Sequence, residues 1–462
     1  MDYDVIILGG GTYGCAIAYE LSKYSLNIAL IEKEYDIVTE IDTINSAIVY
    51  DGLQARSDLI ASLEVEGNRA IYDICKKFNI SLESKNSIFI AYSEGGRKEL
   101  IRKFNKAKER GIYNIEIIDG KTVMDMEGTI KKEPLMGILS RNTAIVSPYD
   151  FAIALGEVAA QNGVNFRFAE TVLNISKVSK EFLITTTKGK FKSKIVINTI
   201  PDKNYDLDNE LREEDFIRHR KWLSYFTVDT HKEPKNIIRA YEDNIKTLVV
   251  PTKHNVLAGA ITDEEMDTVT ANHQVKKLIA GLRTQHITSF LSDSYYSDEI
   301  IIDQSKEEEA YIKISGKNYG ELTMTPAIAR LVKERVLNII KCTEKKDFID
   351  KRREVYRFTD LSDEERNELI KIDKRYGKVV CLCNLVTEGE IIDSIRRPLG
   401  ARTVEGVKRR TGAMIGSCKG SSCLNRVVSI LARELDVNVA DIVRESQGSN
   451  ILNGRMKEFE EI

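Results

Sequence analysis

The stretch "YDVIILGGGTYGCAIAYELSKYSLNIALIEKE" at 3–34 restricts the fold more than any other part of the chain. Gly9, Gly11 and Gly14 make G-x-G-x-x-G between a short β-branched run at 5–8 and the helically spaced Ala16, Ala18 and Leu21. The first glycine permits a tight turn. The second lets backbone N–H groups approach a pyrophosphate, and the third lets helix and strand pack closely. A helix N-terminus placed there adds partial positive charge for phosphates. A second buried strand at 28–31 runs into Glu32, where an acid holds a ribose hydroxyl. The pattern predicts a Rossmann-like dinucleotide-binding unit, and it does not choose between FAD and NAD.

Periodicity then places amphipathic helices near 57–78 and 96–110, after a loop at 39–54 rich in Thr, Asp and Asn. A helix over 147–163 opens with Ser-Pro and stops at Gly163, and strands are expected at 171–177, 181–187 and 194–200. The region 220–315 mixes strands with one helix near 275–290, as a mixed sheet facing a substrate does. At 320–340 a turn feeds a helix, with Pro326 expected in the first turn. Residues 343–377 carry dense charge and predict a solvated linker with one helix. A small cysteine-bearing module follows at 378–440, then a polar tail at 441–462.

A balance of 68 basic against 71 acidic residues argues against generic nucleic-acid binding, which needs excess positive charge. No apolar run reaches the roughly 18 residues of a membrane helix. The strand pattern from Tyr3 leaves no room for a signal peptide, and an odd count of seven cysteines fits a reducing compartment. The expected location is therefore cytoplasmic, with any membrane association made through a partner.

Four of those cysteines gather late in the chain as C-x-C-x34-C-x4-C: Cys381, Cys383, Cys418 and Cys423. A disulfide across one residue is strained, whereas four thiolates complete an iron–sulfur or a zinc site, and spacing alone leaves both open. Thr387 and Glu390 form a capping box for a short helix that Pro398 limits. Lys408, Arg409, Arg410 and Lys419 are expected near the thiolates, offsetting cluster charge, with a solvated helix face as the plainer reading.

Over nearly its whole length the chain resembles the FAD-dependent oxidoreductases that include D-amino-acid oxidase, glycerol-3-phosphate dehydrogenase and L-2-hydroxyglutarate dehydrogenase. "NSAIVYDG" at 45–52, "GILSRNTAIVSPYDFAIALGEVAAQNG" at 137–163 and "GELTMTPAIA" at 320–329 carry the likeness. The resemblance implies an α/β chain, α+β overall. A Rossmann-like FAD-binding domain (about 1–80, 145–205 and 315–342) is interleaved with a mixed-sheet substrate domain (about 81–144 and 206–314). A small C-terminal helical iron–sulfur module follows. It also implies FAD as cofactor, held by Gly9, Gly11, Gly14 and Glu32, with Asn45 and Ser46 along the flavin. Leu322 and Thr323 then begin a helix whose dipole stabilises charge on the reduced ring. Departures are local. Tyr50 stands where the family has histidine, and tyrosine, with a pKa near 10, is a poorer base at neutral pH. "NTIPD" at 198–202 replaces a glycine-ended strand, and "PTKHNVLAGAI" at 251–261 keeps part of a family pattern. Tyr50 and His254 are the candidate catalytic residues. Arg239, Lys253 and His254 are candidates to hold an anionic group, with exposed surface as the plain alternative.

"VTEGEIIDSIRRPLGARTVEGVKRRTGAMIGSCKGSSC" at 386–423 resembles the ferredoxin module of bacterioferritin-associated ferredoxin, which binds a 2Fe–2S cluster. The same module closes anaerobic glycerol-3-phosphate dehydrogenases, behind a linker like that at 357–370. The likeness implies cluster ligation by Cys381, Cys383, Cys418 and Cys423. It further implies oxidation of a small anionic 2-hydroxy compound, glycerol 3-phosphate or a 2-hydroxy acid such as L-2-hydroxyglutarate. Electrons would leave singly through the cluster to a flavoprotein or iron–sulfur partner subunit. The altered flavin loops support another reading, an electron-transfer or scaffold subunit that has lost its substrate site. Changing Cys418 to Ser is expected to abolish the cluster's visible absorption, and a retained spectrum overturns the ligand assignment.

Overall fold

A computed structural model describes residues 2–39, 47–200, 205, 220–228, 233–242, 245–252, 256–281, 287–296, 301–303, 310–315 and 318–454. Asn45, Ser46, Pro201, Asp202, Lys253 and His254 lie outside these residues. Strand Asp2–Leu8 pairs in parallel with Ile28–Ile31 on one side and Lys190–Asn198 on the other. Its residues 5–8 are fully buried, which is why the run is continuously apolar instead of alternating. Asn165–Arg167 and Tyr311–Ser315 extend the parallel part, and the hairpin Val172–Val178/Glu181–Thr186 and the short strand Ile301–Asp303 join antiparallel to give an eight-stranded sheet. Helices Thr12–Ser22, Asp58–Lys77, Pro148–Gln161 and Glu321–Ile339 pack over it in one apolar core.

A second eight-stranded sheet, mixed in direction, forms the other layer system. Its strands Ser87–Ala91 and Ile237–Glu242 run parallel, and the remaining pairs are antiparallel. The helix expected near 275–290 is instead Thr268–Leu278, capped by the Asp267 carboxylate on the N–H groups of Val269 and Thr270. Ile287–Tyr296 is a strand, because its β-branched and aromatic residues pair along Arg220–Val228. Pro326 also differs from expectation. It sits inside helix Glu321–Ile339 rather than in the first turn, where its missing N–H leaves the Leu322 carbonyl without the usual helical donor.

The C-terminal module has its own core, built from helices Glu388–Arg396, Val404–Thr411 and Leu424–Leu435. The capping box at Thr387 and Glu390 forms as expected. The charged segment before it carries the expected helix, Asp363–Ile372, but part of it is buried rather than solvated. Arg352, 7% exposed, donates to Glu157 (2.8 Å) and Asp150 (3.1 Å), and Arg357 also reaches Asp150 (2.8 Å).

Arginines of the module complete this seam. Arg397 grips Glu157 with two bonds (2.6 and 3.0 Å), and Arg410 grips Asp36 with two (2.6 and 2.7 Å). Leu399 joins an apolar patch with Cys15, Ile37, Val38, Ala152 and Ile153. The tail contributes as well: Glu445 pairs with Arg409, and Gln447 donates to the Lys33 carbonyl. Arg409 and Arg410 were expected to balance cluster charge; they serve the interface because Asp36 faces them, and Lys408 pairs with Glu405. Removing one partner of such a buried pair costs about 3–5 kcal/mol. Arg410→Ala is expected to release the module, read as a separate unfolding transition and as faster proteolysis within 343–377.

Candidate active site and cluster centre

The glycine turn is held by its own acid. Glu32 accepts from the Gly10 N–H (2.6 Å) and the Glu34 N–H (3.0 Å), and the Val38 N–H reaches the Gly10 carbonyl (2.9 Å). Gly9 has φ of +96°, and a Cβ on Gly14 would stand 2.0 Å from the Gly9 carbonyl oxygen, so neither position accepts a side chain. Gly11 caps helix Thr12–Ser22 without any side-chain bond, and a Cβ there would meet nothing within 4 Å. Helix N–H groups facing open space fit a pyrophosphate. Thr199, from the altered "NTIPD", donates to the Leu8 carbonyl (2.8 Å) and packs against Gly9. Cys15 is a fully buried packing residue whose thiol burial pushes far up.

Tyr50 sits at the junction of the two sheets. Its N–H donates to the Thr323 hydroxyl (2.9 Å), which in turn donates to the Ile48 carbonyl (3.2 Å). Its carbonyl accepts from Asn68 (2.8 Å). Thr323 thus latches the loop to the start of helix Glu321–Ile339, and Leu322 beside it is buried. The side chain of Tyr50 enters the same network: its hydroxyl accepts from Arg239 (2.8 Å), and its ring meets Tyr319 edge-on at 5.1 Å. Asp51 is buried, accepting from the Ser140 hydroxyl and the Leu53 N–H, and burial raises its pKa.

Arg239 therefore lines a pocket rather than the surface. Gln54, Arg56, Lys103, Lys221, Tyr241, Lys246, Ile261, Tyr295 and Tyr319 complete its walls. Lys246 pairs with Glu99 (3.0 Å) and Lys221 with Asp263. Lys103 donates to the Gln54 carbonyl (2.8 Å), and burial with nearby cations pushes its pKa down to about 7. The Gln54 amide and the Tyr319 hydroxyl are buried without a hydrogen-bond partner among the described residues. So is the carboxylate of Glu64, fully enclosed, whose pKa burial raises to about 8. Sequence reasoning named Arg239 and missed the rest. The available signal was a charge on an apolar helix stripe: Lys103 between Leu100 and Ala107, and Glu64 between Ile60 and Ile71.

The four late cysteines occupy two neighbouring structural pieces. Cys381 ends strand Val379–Cys381, Cys383 follows in the turn, Cys418 lies in a loop, and Cys423 precedes helix Leu424–Leu435. Cys383 faces Cys418, and Cys381 faces Cys423. The Ser422 N–H and the Cys383 thiol hold Cys418 down to about 7, while burial and Cys381 push Cys423 up to about 11. A Cβ on Gly416 would stand 2.3 Å from the Cys383 Cβ, so this loop must be bare to close on the first pair. Among the described residues no three His, Cys, Asp or Glu side chains converge on one point as a single-ion site requires. Four thiols in two facing pairs suit a two-metal cluster. Gly14→Ala is expected to yield protein without yellow flavin absorbance, because its Cβ would displace the turn; normal FAD content in that variant counts against the turn as the binding site.

Residues 4–335 match the family model described as FAD dependent oxidoreductase, and 379–433 match the BFD-like [2Fe-2S] binding domain. The chain is 33% identical to a glycerol 3-phosphate dehydrogenase of Caloramator mitchellensis, across 98% of this chain and 99% of that protein. A glycerol 3-phosphate oxidase of Mycoplasma pneumoniae is 27% identical over 57% of this chain and 68% of its own length. The FAD-bound structure of L-alpha-glycerophosphate oxidase from Mycoplasma pneumoniae superposes with a TM-score of 0.67 at 21% identity, covering 76% of this chain and 98% of that one. Among the described residues no helix is long and apolar enough to cross a membrane. The chain belongs to the FAD-dependent oxidoreductases and carries FAD together with a C-terminal 2Fe–2S domain.

Proposed function

We propose that the chain oxidises glycerol 3-phosphate, binding its phosphate in the pocket beside Tyr50 and passing electrons through the cluster to a protein partner. The observation that carries this is the charge of the pocket. Arg56, Lys103, Lys221, Arg239 and Lys246 line it; Glu99 pairs with Lys246 and Asp263 with Lys221, while Lys103 and Arg239 meet neutral oxygens, the Gln54 carbonyl and the Tyr50 hydroxyl. A phosphate dianion suits that excess better than the single charge of a 2-hydroxy carboxylate. The relatives' names point the same way.

Bound FAD supplies hydride acceptance from the carbinol carbon. The chain's own residues do the rest. Lys103 and Arg239 hold the anion, Gln54 offers amide hydrogen bonds, and the aromatic wall of Tyr241, Tyr295 and Tyr319 excludes water. Arg239 also fixes the Tyr50 ring, with its guanidinium carbon 4.9 Å from the ring centre, so the phenol orients the substrate rather than searching for it. Gly9, Gly11, Gly14 and Glu32 would hold the dinucleotide, and the four late cysteines the cluster. On this reading 1–80, 145–205 and 315–342 form the FAD-binding parts, and 81–144 with 206–314 the substrate parts. The partner would be a flavoprotein or iron–sulfur subunit, chosen because a 2Fe–2S centre carries one electron at a time.

Anaerobic addition of glycerol 3-phosphate should bleach the flavin bands. If no phosphorylated polyol or 2-hydroxy acid bleaches them, the chain is an electron-transfer subunit instead. Lys103→Met should raise KM about tenfold or more with kcat little changed, since a lost charged hydrogen bond is worth about 1.5–3 kcal/mol. KM should also rise with pH above about 7, as Lys103 sheds its proton and its hold on the anion.

A further inference from the structure

The helices Asp58–Lys77 and Glu94–Glu109 each place one charged residue on their buried stripe. Lys103 is accounted for by the anion pocket. Glu64 is not, and it is the more expensive of the two. It is fully buried, and among the described residues no donor bonds either carboxylate oxygen within strict hydrogen-bond geometry. A carboxylate in that state costs several kcal/mol unless it takes up a proton.

Its surroundings are specific. A Cβ on Gly320 would stand 2.6 Å from Oε1, at the residue that caps helix Glu321–Ile339 without a side chain. Four groups face it: Tyr319, Asp51, Arg239 and Lys103. Tyr319 and Glu64 stand opposite one another and interact through their side chains, and Tyr319 is one of the residues lining the anion pocket. Two other oxygens near it are already engaged. The Tyr50 oxygen accepts from Arg239, and the Asp51 carboxylate is held by Ser140 and the Leu53 N–H.

We propose that Glu64, acting through the Tyr319 hydroxyl, takes up the proton that the bound alcohol loses on oxidation. This rests on the substrate reading above. The hydroxyl proton of the substrate moves to the Tyr319 oxygen as the Tyr319 proton moves to the Glu64 carboxylate. The carbinol hydrogen leaves with its electron pair to FAD, and the C–O bond becomes C=O. The carboxylate is neutralised and one hydride is transferred, so atoms and charge balance. Glu64 is a positioning residue in this scheme, because it meets the substrate only through Tyr319.

Burial sets the pH dependence. Burial raises the Glu64 pKa to about 8; Tyr319, Arg239 and Lys103 oppose part of that effect and the Asp51 charge adds to it. Below that pH it is an acid and cannot accept; above it the carboxylate is available, so the rate rises with pH. The full chain, loaded with FAD and cluster, is mixed anaerobically with saturating glycerol 3-phosphate from pH 6 to 10, and flavin bleaching is timed. The wild type should accelerate about tenfold across pH 8. Glu64→Gln should lose that limb and react about a hundredfold more slowly at pH 9, with its glycerol 3-phosphate Kd within about threefold of wild type. Tyr319→Phe should lose the same limb, which covers the case in which Glu64→Gln does not fold. Infrared spectra without substrate give a second readout: a carboxylic-acid carbonyl band present at pH 6, gone by pH 10 and missing from Glu64→Gln. An unchanged pH limb in Glu64→Gln overturns the proposal. If glycerol 3-phosphate does not bleach the wild type at all, the substrate reading fails, and the absence of the infrared band at pH 6 overturns the role of Glu64 separately.

Discussion

Three buried carboxylates receive five arginines along the seam between the cluster module and the flavin domain. Asp36 takes Arg410 and Arg409, Glu157 takes Arg397 and Arg352, and Asp150 takes Arg352 with Arg357. Ion pairs removed from water recover little net stability, but their fork geometry accepts one arrangement and rejects others. That selectivity matters here because Asp36 and Ile37 belong to the loop whose next residue, Val38, bonds to the Gly10 carbonyl. The surface that receives the cluster module is therefore continuous with the glycine turn at Gly9–Gly14. Gly406 shows how tight the fit is, since a Cβ there would stand 2.6 Å from Asp36.

Charge is distributed by task. Acidic side chains of the flavin domain are spent on the seam, and the arginines that meet them are unavailable to the cluster. Basic side chains gather instead at the pocket beside Tyr50, where Arg239 is both a wall of the pocket and the clamp on the phenol. The exchange of histidine for tyrosine at position 50 thus has a structural counterpart. The Tyr50 ring is held by a guanidinium, and Lys103 and Glu64, whose pKa values burial shifts, come from two helices.

Much of this was legible from sequence. The strand at 28–31, the helices at 58–77 and 148–161 and the capping box at Thr387 announce themselves through period and caps, which are local properties. The boundary error at 275–290 arose where a short helix gives way to a strand whose partner lies some sixty residues earlier, and pairing is not a local property. The destination of Arg410 was hidden for the same reason: basic residues near thiolates in sequence read as cluster neighbours, and only folding brings Asp36, 374 residues away, into contact. Glu64 and Lys103 were in plain sight. They interrupt apolar stripes, and a charge in that position marks either an error in the stripe or a function inside it.

The buried arginine at position 352 changes what the charged segment is for. A solvated tether lets its passenger swing, so any exchange of electrons would await a productive encounter. A segment pinned to Glu157 and Asp150, with Arg397 pinned to the same glutamate from the other side, works as a strap. On the proposed function, a flavin and a cluster bound to this chain would be held at one separation by that strap, and electron transfer between them would depend on distance and driving force rather than on the length of the connection.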